Sequence, residues 1–191
     1  MFTLWSDAAR FHRVILVIAA TEPELTGVNG VPTLACGIGP VESAATTARA
    51  LADLRPAGVL HVGIAGARTL PAPSLVIGSE SVYEDAAGGG LVRERVAPDA
   101  RLLEAARRAL PDAPVLPIGT SARVGGTQAC EVEAMEGFAV LRAAQLAGVP
   151  ALEVRAVSNE IDEPDRERWR FDDALAALAA SLPRLLAELQ K

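Results

Sequence analysis

Residues 59–66 read VLHVGIAG, an apolar run with β-branched residues that ends in a Gly-Ile-Ala-Gly turn. Such a run, over residues 59–64, is typical of a strand that is buried on both faces of a sheet. On its N-terminal side lies a helical pattern over residues 40–54, and before that a second apolar run over residues 14–19. The pattern therefore predicts strand, helix and strand in succession, the repeating unit of an α/β protein.

The rest of the chain continues this alternation. Further strands are predicted over residues 75–82, 115–118 and 151–158, and further helices over residues 99–110, 133–147 and 172–190. Pro183 is expected to kink or break the last helix. Because strands this apolar need helices above and below the sheet, we predict a three-layer α/β/α architecture. Residues 1–191 fit one domain, since no linker or repeat divides them.

Composition and charge exclude several classes of partner. The 191 residues carry a net charge of −6, and their 18 Lys and Arg residues are scattered among 24 Asp and Glu residues. A nucleic-acid-binding protein concentrates its basic residues on one face, so no nucleic acid partner is expected. No apolar run reaches the roughly 20 residues of a membrane span. Residues 1–13 lack the pattern of a signal peptide, and we therefore expect a soluble cytoplasmic protein with no membrane partner.

The sequence offers little support for a metal or a cofactor. Cys36 and Cys130 are far apart and belong to no Cys-x-x-Cys or His-x-x-x-His spacing, which suits a reducing cytoplasm better than a zinc site. Gly37-Ile38-Gly39 is similar to the start of a dinucleotide-binding fingerprint, but Glu42 stands where the third glycine is needed. We expect no metal and no cofactor.

Candidate functional residues lie directly after the predicted strands, because ligands of open α/β sheets bind beyond the carboxyl ends of the strands. Four segments qualify, and they are residues 20–24 (ATEPE), 63–67 (GIAGA), 133–137 (EAMEG) and 155–159 (RAVSN).

Glu136 gives the sharpest signal of the four segments. Ala139, Val140 and Ala143 come three, four and seven positions after it, which places its carboxylate on an apolar helix face. A buried carboxylate needs a cation or the donor groups of a ligand. A glutamate in the first turn of a helix also suits the helix dipole without any ligand, so both interpretations stand.

The other segments each allow two interpretations. Glu24 is either a functional carboxylate or an ordinary acid at the start of a helix. Ala65 and Gly66 let the backbone approach a ligand closely, or they form a packing turn. Asn159 offers a donor and an acceptor to a ligand, or it caps the segment after the strand.

In this order the four segments resemble the nucleoside phosphorylase and nucleosidase superfamily over nearly the whole chain. Residues 133–137 are similar to its Met-Glu-Gly ribose-binding signature. Ser158-Asn159, residues 164–169 and the turn at residues 63–66 are most similar to the futalosine hydrolase family. The resemblance implies a central mixed, mostly parallel sheet of the nucleoside phosphorylase type, a purine nucleoside substrate, a homo-oligomer and a role in menaquinone biosynthesis.

The resemblance also implies roles for single residues. Glu136 would accept hydrogen bonds from the ribose 2′- and 3′-hydroxyls, and Glu24 would be the general base that activates water. Asn159 stands where adenine-releasing nucleosidases carry an Asp. An amide can accept a hydrogen bond from N7–H and donate one to a 6-oxo group, which favours hypoxanthine or guanine as leaving base. Ala65, Gly66, Val124 and Met135 would line the substrate site.

Some positions depart from relatives of this superfamily. Residues 120–128 lack the aromatic that often stacks on the purine, so stacking would fall to Val124 or Phe138. Arg123 is a candidate partner for the benzoate at the distal end of futalosine. His61 and Ile64 stand where hexameric phosphorylases place Arg and Ser, which favours hydrolysis over phosphorolysis and predicts His61 as a core residue.

The predicted activity is hydrolysis of the N-glycosidic bond of futalosine, which releases hypoxanthine and dehypoxanthine futalosine. The alternatives within the superfamily are a methylthioadenosine/S-adenosylhomocysteine nucleosidase and a purine nucleoside phosphorylase. An alternative of another class is a non-catalytic nucleoside-binding protein of the same fold, because a fold does not settle a function. The presence of Glu24 argues against this last alternative, because a binder needs no water-activating carboxylate.

Overall fold

The computed structural model describes residues 14–86 and 90–191. Residues 1–13, on which the signal-peptide prediction rests, lie outside the described residues. The strands are β1 (Ile15–Ala19), β2 (Thr33–Ala35), β3 (Gly58–Ala67), β4 (Leu75–Tyr83), β5 (Arg95–Val96), β6 (Val115–Thr120), β7 (Val132–Ala134) and β8 (Ala151–Glu160). The α-helices are α1 (Pro40–Leu54), α2 (Ala100–Ala109), α3 (Gly137–Leu146) and α4 (Phe171–Leu189), and short 3-10 helices cover Glu22–Leu25 and Arg166–Arg168.

These strands form one mixed sheet. Parallel pairing joins β1 to β2 and β3, β3 to β8, and β6 to β4 and β7. Antiparallel pairing joins β3 to β7 and β4 to β5 and β8. Because β8 pairs with both β3 and β4, the strands β3, β7, β6, β4 and β8 close into a ring of pairings. Most pairings are parallel, as the family resemblance implies.

Helices cover the sheet on two sides, and β1 shows how the sequence achieves this. Its side chains alternate between the two faces, so Ile15 and Val17 pack in the core cluster that contains the buried residues of α2 and α4. Leu16 and Ile18 pack instead with the buried residues of α1 and α3. The predicted three-layer α/β/α architecture is therefore confirmed.

The elements differ from the predicted ones in a few places. The predicted helix over residues 133–147 begins only at Gly137, because Val132–Ala134 pair with β3 and β6 as a strand. The short strands β2 and β5 were not predicted. The predicted break at Pro183 is wrong, since α4 continues to Leu189. Among the described residues, no helix is long and apolar enough to cross a membrane.

Candidate active site

A cavity of about 450 Å³ lies at the carboxyl ends of the parallel strands β1, β3 and β8. Its lining includes seven of the residues that the sequence predicts for the site, namely Glu24, Ala65, Gly66, Val124, Met135, Glu136 and Asn159. The chain thus brings together segments that are more than a hundred residues apart. Their chemical roles remain predictions.

Glu24 is held rigidly at the cavity wall. It lies in the 3-10 helix after β1 and is only 6% exposed. Its Oε2 accepts hydrogen bonds from the Thr21 amide at 2.9 Å and the Thr21 hydroxyl at 2.8 Å. Its Oε1 accepts one from the Ile64 amide at 3.0 Å. A carboxylate has about four acceptor positions, so roughly one remains for a water or a ligand.

Glu136 is the residue immediately before α3 and is only 4% exposed. Its Oε1 accepts a hydrogen bond from the Gly39 amide at 2.9 Å, and its Oε2 lies 3.7 Å from Nη2 of Arg155. Burial raises the pKa of this carboxyl above its usual value, and Arg155 and the Gly39 amide oppose the rise. The charges of nearby Glu24 and Glu153 add to it. The carboxylate therefore gains from any further donor that a ligand brings.

Arg155 is the buried centre of the charges behind the cavity. Its Nε donates to Oε1 of Glu153 at 2.8 Å, and its Nη2 donates to Nε2 of His61. Burial alone would lower the pKa of Arg155, but the surrounding glutamates, Glu153 first, outweigh that effect and raise it. The second oxygen of Glu153 accepts a hydrogen bond from the hydroxyl of Ser81. The sequence prediction gave none of this network a role.

His61 lies in the core, as predicted. It is fully buried, and its Nδ1 is 3.0 Å from the carbonyl oxygen of Ile18. Since a carbonyl only accepts, Nδ1 carries the proton and Nε2 is free to accept from Arg155. Burial, and after it the charge of Arg155, lowers the pKa of His61 well below its usual value. The ring is therefore neutral and supports Arg155 without reaching the cavity.

Two glycines make room for this arrangement. A side chain at Gly63 would place its Cβ 2.3 Å from Nη1 of Arg155 and 2.6 Å from Oε1 of Glu24. A side chain at Gly137 would place its Cβ 2.3 Å from both oxygens of Glu153. Cβ atoms do not approach other atoms this closely, so both positions require glycine. These glycines belong to the segments that the sequence singled out, but the reason lies in contacts made elsewhere in the chain.

Asn159 closes another side of the cavity at the end of β8. Its Oδ1 accepts a hydrogen bond from the Ser158 hydroxyl at 2.7 Å, and its Nδ2 donates to the Glu160 carbonyl at 2.8 Å. The opposite amide orientation would place two acceptors against each other at Glu160, so these contacts fix the orientation. One amide hydrogen and one oxygen lone pair remain for a ligand. That is the donor and acceptor pair expected from the sequence.

The loop that carries Val124 is anchored by Glu133, a residue to which the sequence prediction gave no role. Oε1 of Glu133 accepts from the Gly125 amide and Oε2 from the Thr127 amide, both at 2.6 Å. Glu133 is buried and lines the cavity. It therefore sets the position of Val124, which lies at the cavity with 43% of its surface exposed.

The aromatic residues of the cavity come from the segment after β8. Trp169 and Phe171 line it together with Arg166, whereas the candidates Phe138 and Arg123 do not. Phe138 stacks on Tyr83 at 5.1 Å between ring centroids and belongs to the core, so its predicted stacking on a base is not supported. Arg123 is exposed in the Val124 loop. In the sequence, residues 164–169 contribute only to the family resemblance. Trp169 among them is the residue from which an aromatic wall of the cavity could have been predicted.

The Gly37-Ile38-Gly39 turn also reaches the site. Gly37 and Gly39 both have a φ of 89°, a left-handed conformation that favours glycine. This conformation presents the Gly39 amide to Glu136 and leaves Ile38 at the cavity with 61% of its surface exposed. The turn does not complete a dinucleotide-binding fingerprint, but its Gly39 amide holds the carboxylate of Glu136. Among residues 14–86 and 90–191, no cluster of three or more His, Cys, Asp and Glu side chains could hold a metal.

Residues 22–191 match the model of the phosphorylase superfamily. The chain is 36% identical to a futalosine hydrolase of Streptomyces coelicolor, over 85% of this chain and 81% of the relative. The native futalosine hydrolase of Helicobacter pylori superimposes with a TM-score of 0.83 at 17% identity, over 94% of this chain and 100% of that one.

A second solved structure has a similar fold. It is the 5′-methylthioadenosine/S-adenosylhomocysteine nucleosidase of Neisseria meningitidis in complex with methylthio-immucillin-A, with a TM-score of 0.79 at 23% identity. The superposition covers 93% of this chain and 98% of that one. At these identities the superpositions show that the fold is shared and carry no information about the substrate.

Proposed function

Since the chain belongs to the phosphorylase superfamily and, within it, to the futalosine hydrolases, we propose that it hydrolyses the N-glycosidic bond of futalosine to hypoxanthine and dehypoxanthine futalosine. The observation that carries the proposal is the pair of buried carboxylates, Glu24 and Glu136, at one cavity that Asn159 also lines. Two carboxylates of different surroundings can divide the work between binding and activation of water.

Glu136 holds the ribose in this mechanism. Burial raises the pKa of this carboxyl despite its contacts with Arg155 and the Gly39 amide, and the ribose 2′- and 3′-hydroxyls supply further donors that stabilise the charged form. Fixing the sugar against Glu136 places its anomeric carbon within the cavity. The negative charge nearby stabilises the oxocarbenium-like state through which the glycosidic bond breaks.

Glu24 activates the water, and Asn159 assists the leaving base. The free acceptor position of Glu24 takes a hydrogen bond from a water, and the carboxylate accepts its proton as the oxygen attacks the sugar. The remaining lone pair and hydrogen of Asn159 match N7–H and the 6-oxo group of departing hypoxanthine. The base leaves as a neutral purine after a solvent water protonates its N7, since the amide of Asn159 cannot supply this proton, and the proton that Glu24 takes from the attacking water returns to solvent.

Hydrolysis fits the charges of the site better than phosphorolysis. A phosphate co-substrate needs cations beside the sugar. Arg155 is fully buried and already donates to Glu153 and His61, and among the described residues Arg166 is the one cation that lines the cavity. Glu24 and Glu136 would repel phosphate from the position that water takes.

The test measures release of free base from futalosine, inosine and methylthioadenosine, each with and without phosphate. We expect phosphate-independent release of hypoxanthine from futalosine. Glu24→Gln should lower kcat by about a hundredfold or more, because the amide cannot accept the proton. Glu22→Gln is the matched control, since Glu22 is exposed in the same 3-10 helix.

The other possible results of this assay each support one of the alternative functions. Faster release of adenine from methylthioadenosine would support a methylthioadenosine/S-adenosylhomocysteine nucleosidase. A requirement for phosphate would support a phosphorylase. Tight binding of nucleosides without release of base by the wild type would support a non-catalytic binding protein.

The proposed function includes a cellular setting. We place the protein in menaquinone biosynthesis and in the cytoplasm, where Cys36 and Cys130, both free and buried, would stay reduced. We also propose that it forms a homo-oligomer, as the family resemblance implies. Sedimentation of the purified chain measures this directly.

A further inference from the structure

Arg166 makes no ion pair with the residues that the structure describes, unlike the neighbouring Arg168 and Arg170. Arg168 pairs with Glu163 at 2.8 Å and Arg170 with Asp173 at 2.7 Å. No carboxylate in the described part of the chain lies within 4 Å of the Arg166 guanidinium. Arg166 nevertheless lines the cavity. Its charge is therefore available to a ligand there.

The surroundings of Arg166 are apolar and aromatic. Its guanidinium carbon lies 5.5 Å from the ring centroid of Trp169, a cation–π distance that orders the side chain. The indole Nε1 of Trp169 donates to the Glu163 carbonyl at 3.0 Å, and its ring is 5.2 Å from that of Phe171. Leu175 of α4 completes this wall. A cation on such a wall suits a group that is both planar and anionic.

The other charges of the cavity restrict where an anion can lie. Glu24, Glu133 and Glu136 also line the cavity and are all buried. An anionic group placed near them would be repelled in a site of low dielectric constant. With the ribose at Glu136 and the base at Asn159, the wall of Arg166 and Trp169 is left for the substituent that the sugar carries.

We propose that Arg166 and Trp169 form a subsite for an aromatic carboxylate on the sugar side of the nucleoside, and that this subsite selects anionic over neutral substrates. The inference rests on the proposed function and deepens it by naming the residue that recognises the distal group. It replaces Arg123 as the partner of the benzoate of futalosine, because both arginines are exposed but Arg166 lines the cavity and Arg123 does not.

The test compares futalosine with its carboxamide analogue, which keeps the aromatic ring but has no distal charge. Dissociation constants are measured by calorimetry on the Glu24→Gln enzyme, so that the ligands stay intact. Adding Arg166→Gln should weaken the acid about five- to fiftyfold and the amide less than about threefold. High ionic strength should weaken binding of the acid alone. The matched control is Arg168→Gln, which should leave both constants unchanged.

Several results would overturn the subsite. These are equal losses for acid and amide, or a loss of charge selectivity with Arg123→Gln instead of Arg166→Gln. Charge-selective binding that depends on Arg166, without base release by the wild-type enzyme, contradicts the proposed function but supports the subsite. Base release by the wild type with unchanged selectivity in Arg166→Gln contradicts the subsite alone. Failure of both ligands to bind contradicts both.

Discussion

Asn159 has one donor and one acceptor free at the cavity, and in the proposed mechanism this pair decides which purine leaves. An Asp at the same position could protonate N7 of adenine, but it would place a carboxylate against a 6-oxo group. We therefore expect Asn159→Asp to shift the ratio of kcat/KM from hypoxanthine towards adenine nucleosides by at least about tenfold. The measurement is base release from matched 6-oxo and 6-amino substrates.

The control for this prediction is Asn29→Asp. Asn29 is the other asparagine of the chain and is exposed in the loop before β2. The Asn29→Asp substitution makes the same change of charge at a residue that does not line the cavity. An unchanged ratio in Asn159→Asp would show that the base is recognised elsewhere.

The residues behind the cavity were the least predictable part of the site. Glu136 was identified from its apolar neighbours, and the structure does bury it. Glu153 and Arg155 stand two positions apart in an apolar strand, which places both on one face, and this signal could have revealed the network. Its partners His61 and Ser81 could not have been assigned, because they come from other strands.

At the scale of elements, the start of α3 depends on a contact made by β8. The Cβ of an alanine at residue 137 would lie 2.3 Å from the carboxylate of Glu153. Alanine gains at most about 1 kcal/mol over glycine in a helix, whereas overpacking of a rigid core costs about 2 kcal/mol or more. Gly137→Ala should therefore lower the free energy of unfolding, as measured by denaturation in urea.

Gly78→Ala is the comparison for this variant. The new Cβ would lie 3.3 Å from the carbonyl oxygen of Glu153, a tight contact that small shifts relieve. We expect a change within about 1 kcal/mol. Equal effects of the two variants would show that the clash at residue 137 relaxes freely.

Periodicity predicted the longer elements well and the short ones poorly. The helix predicted over residues 40–54 begins and ends where α1 does. Its hydrogen bonds join residues of the same segment, so the local sequence pattern is enough to predict it. The pattern predicts residues 133 and 134 as part of a helix and places residue 132 in no element. This differs from the strand in the structure because a three-residue strand draws its hydrogen bonds from β3 and β6. The break predicted at Pro183 was wrong, because helix propensity alone does not show that packing can stabilise α4 on both sides of a proline.

At the scale of the whole molecule, the fold class and the family could be predicted from the sequence. The 36% identity to a futalosine hydrolase confirms the resemblance drawn from the four segments. The closed ring of strands could not be predicted from the sequence pattern, since register and pairing depend on distant contacts. That residues 1–191 form one domain remains a prediction, because the structure describes residues 14–86 and 90–191.

The stability of the whole molecule should depend on pH through His61. Its pKa is well below 6.5 in the folded protein, so below pH 6.5 the unfolded chain binds a proton that the folded protein excludes. The free energy of unfolding should then fall as the pH drops below 6.5, by up to about 1.4 kcal/mol per unit for this group.

Comparison of the wild type with His61→Gln isolates this contribution. A glutamine can still donate to Ile18 and accept from Arg155, but it does not titrate. Urea denaturation at pH 7.5, 6.5 and 5.5 should show a shallower loss of stability in the variant. Parallel curves would mean that the pKa of His61 is the same in the folded and the unfolded protein, which would contradict the lowered pKa.

The pairing of β8 with both β3 and β4 also has a consequence for synthesis on the ribosome. Residues 151–160 are made after β3 and β4, so the nascent protein first carries two long apolar strands that lack this common neighbour. Unpaired strand edges promote association between chains. Translation must pass residue 160 before the sheet can close, and the walls formed by Asn159 and Trp169 are made after those formed by Glu24 and Glu136. The nascent chain therefore carries unpaired strand edges from the synthesis of β4 until β8 has been made.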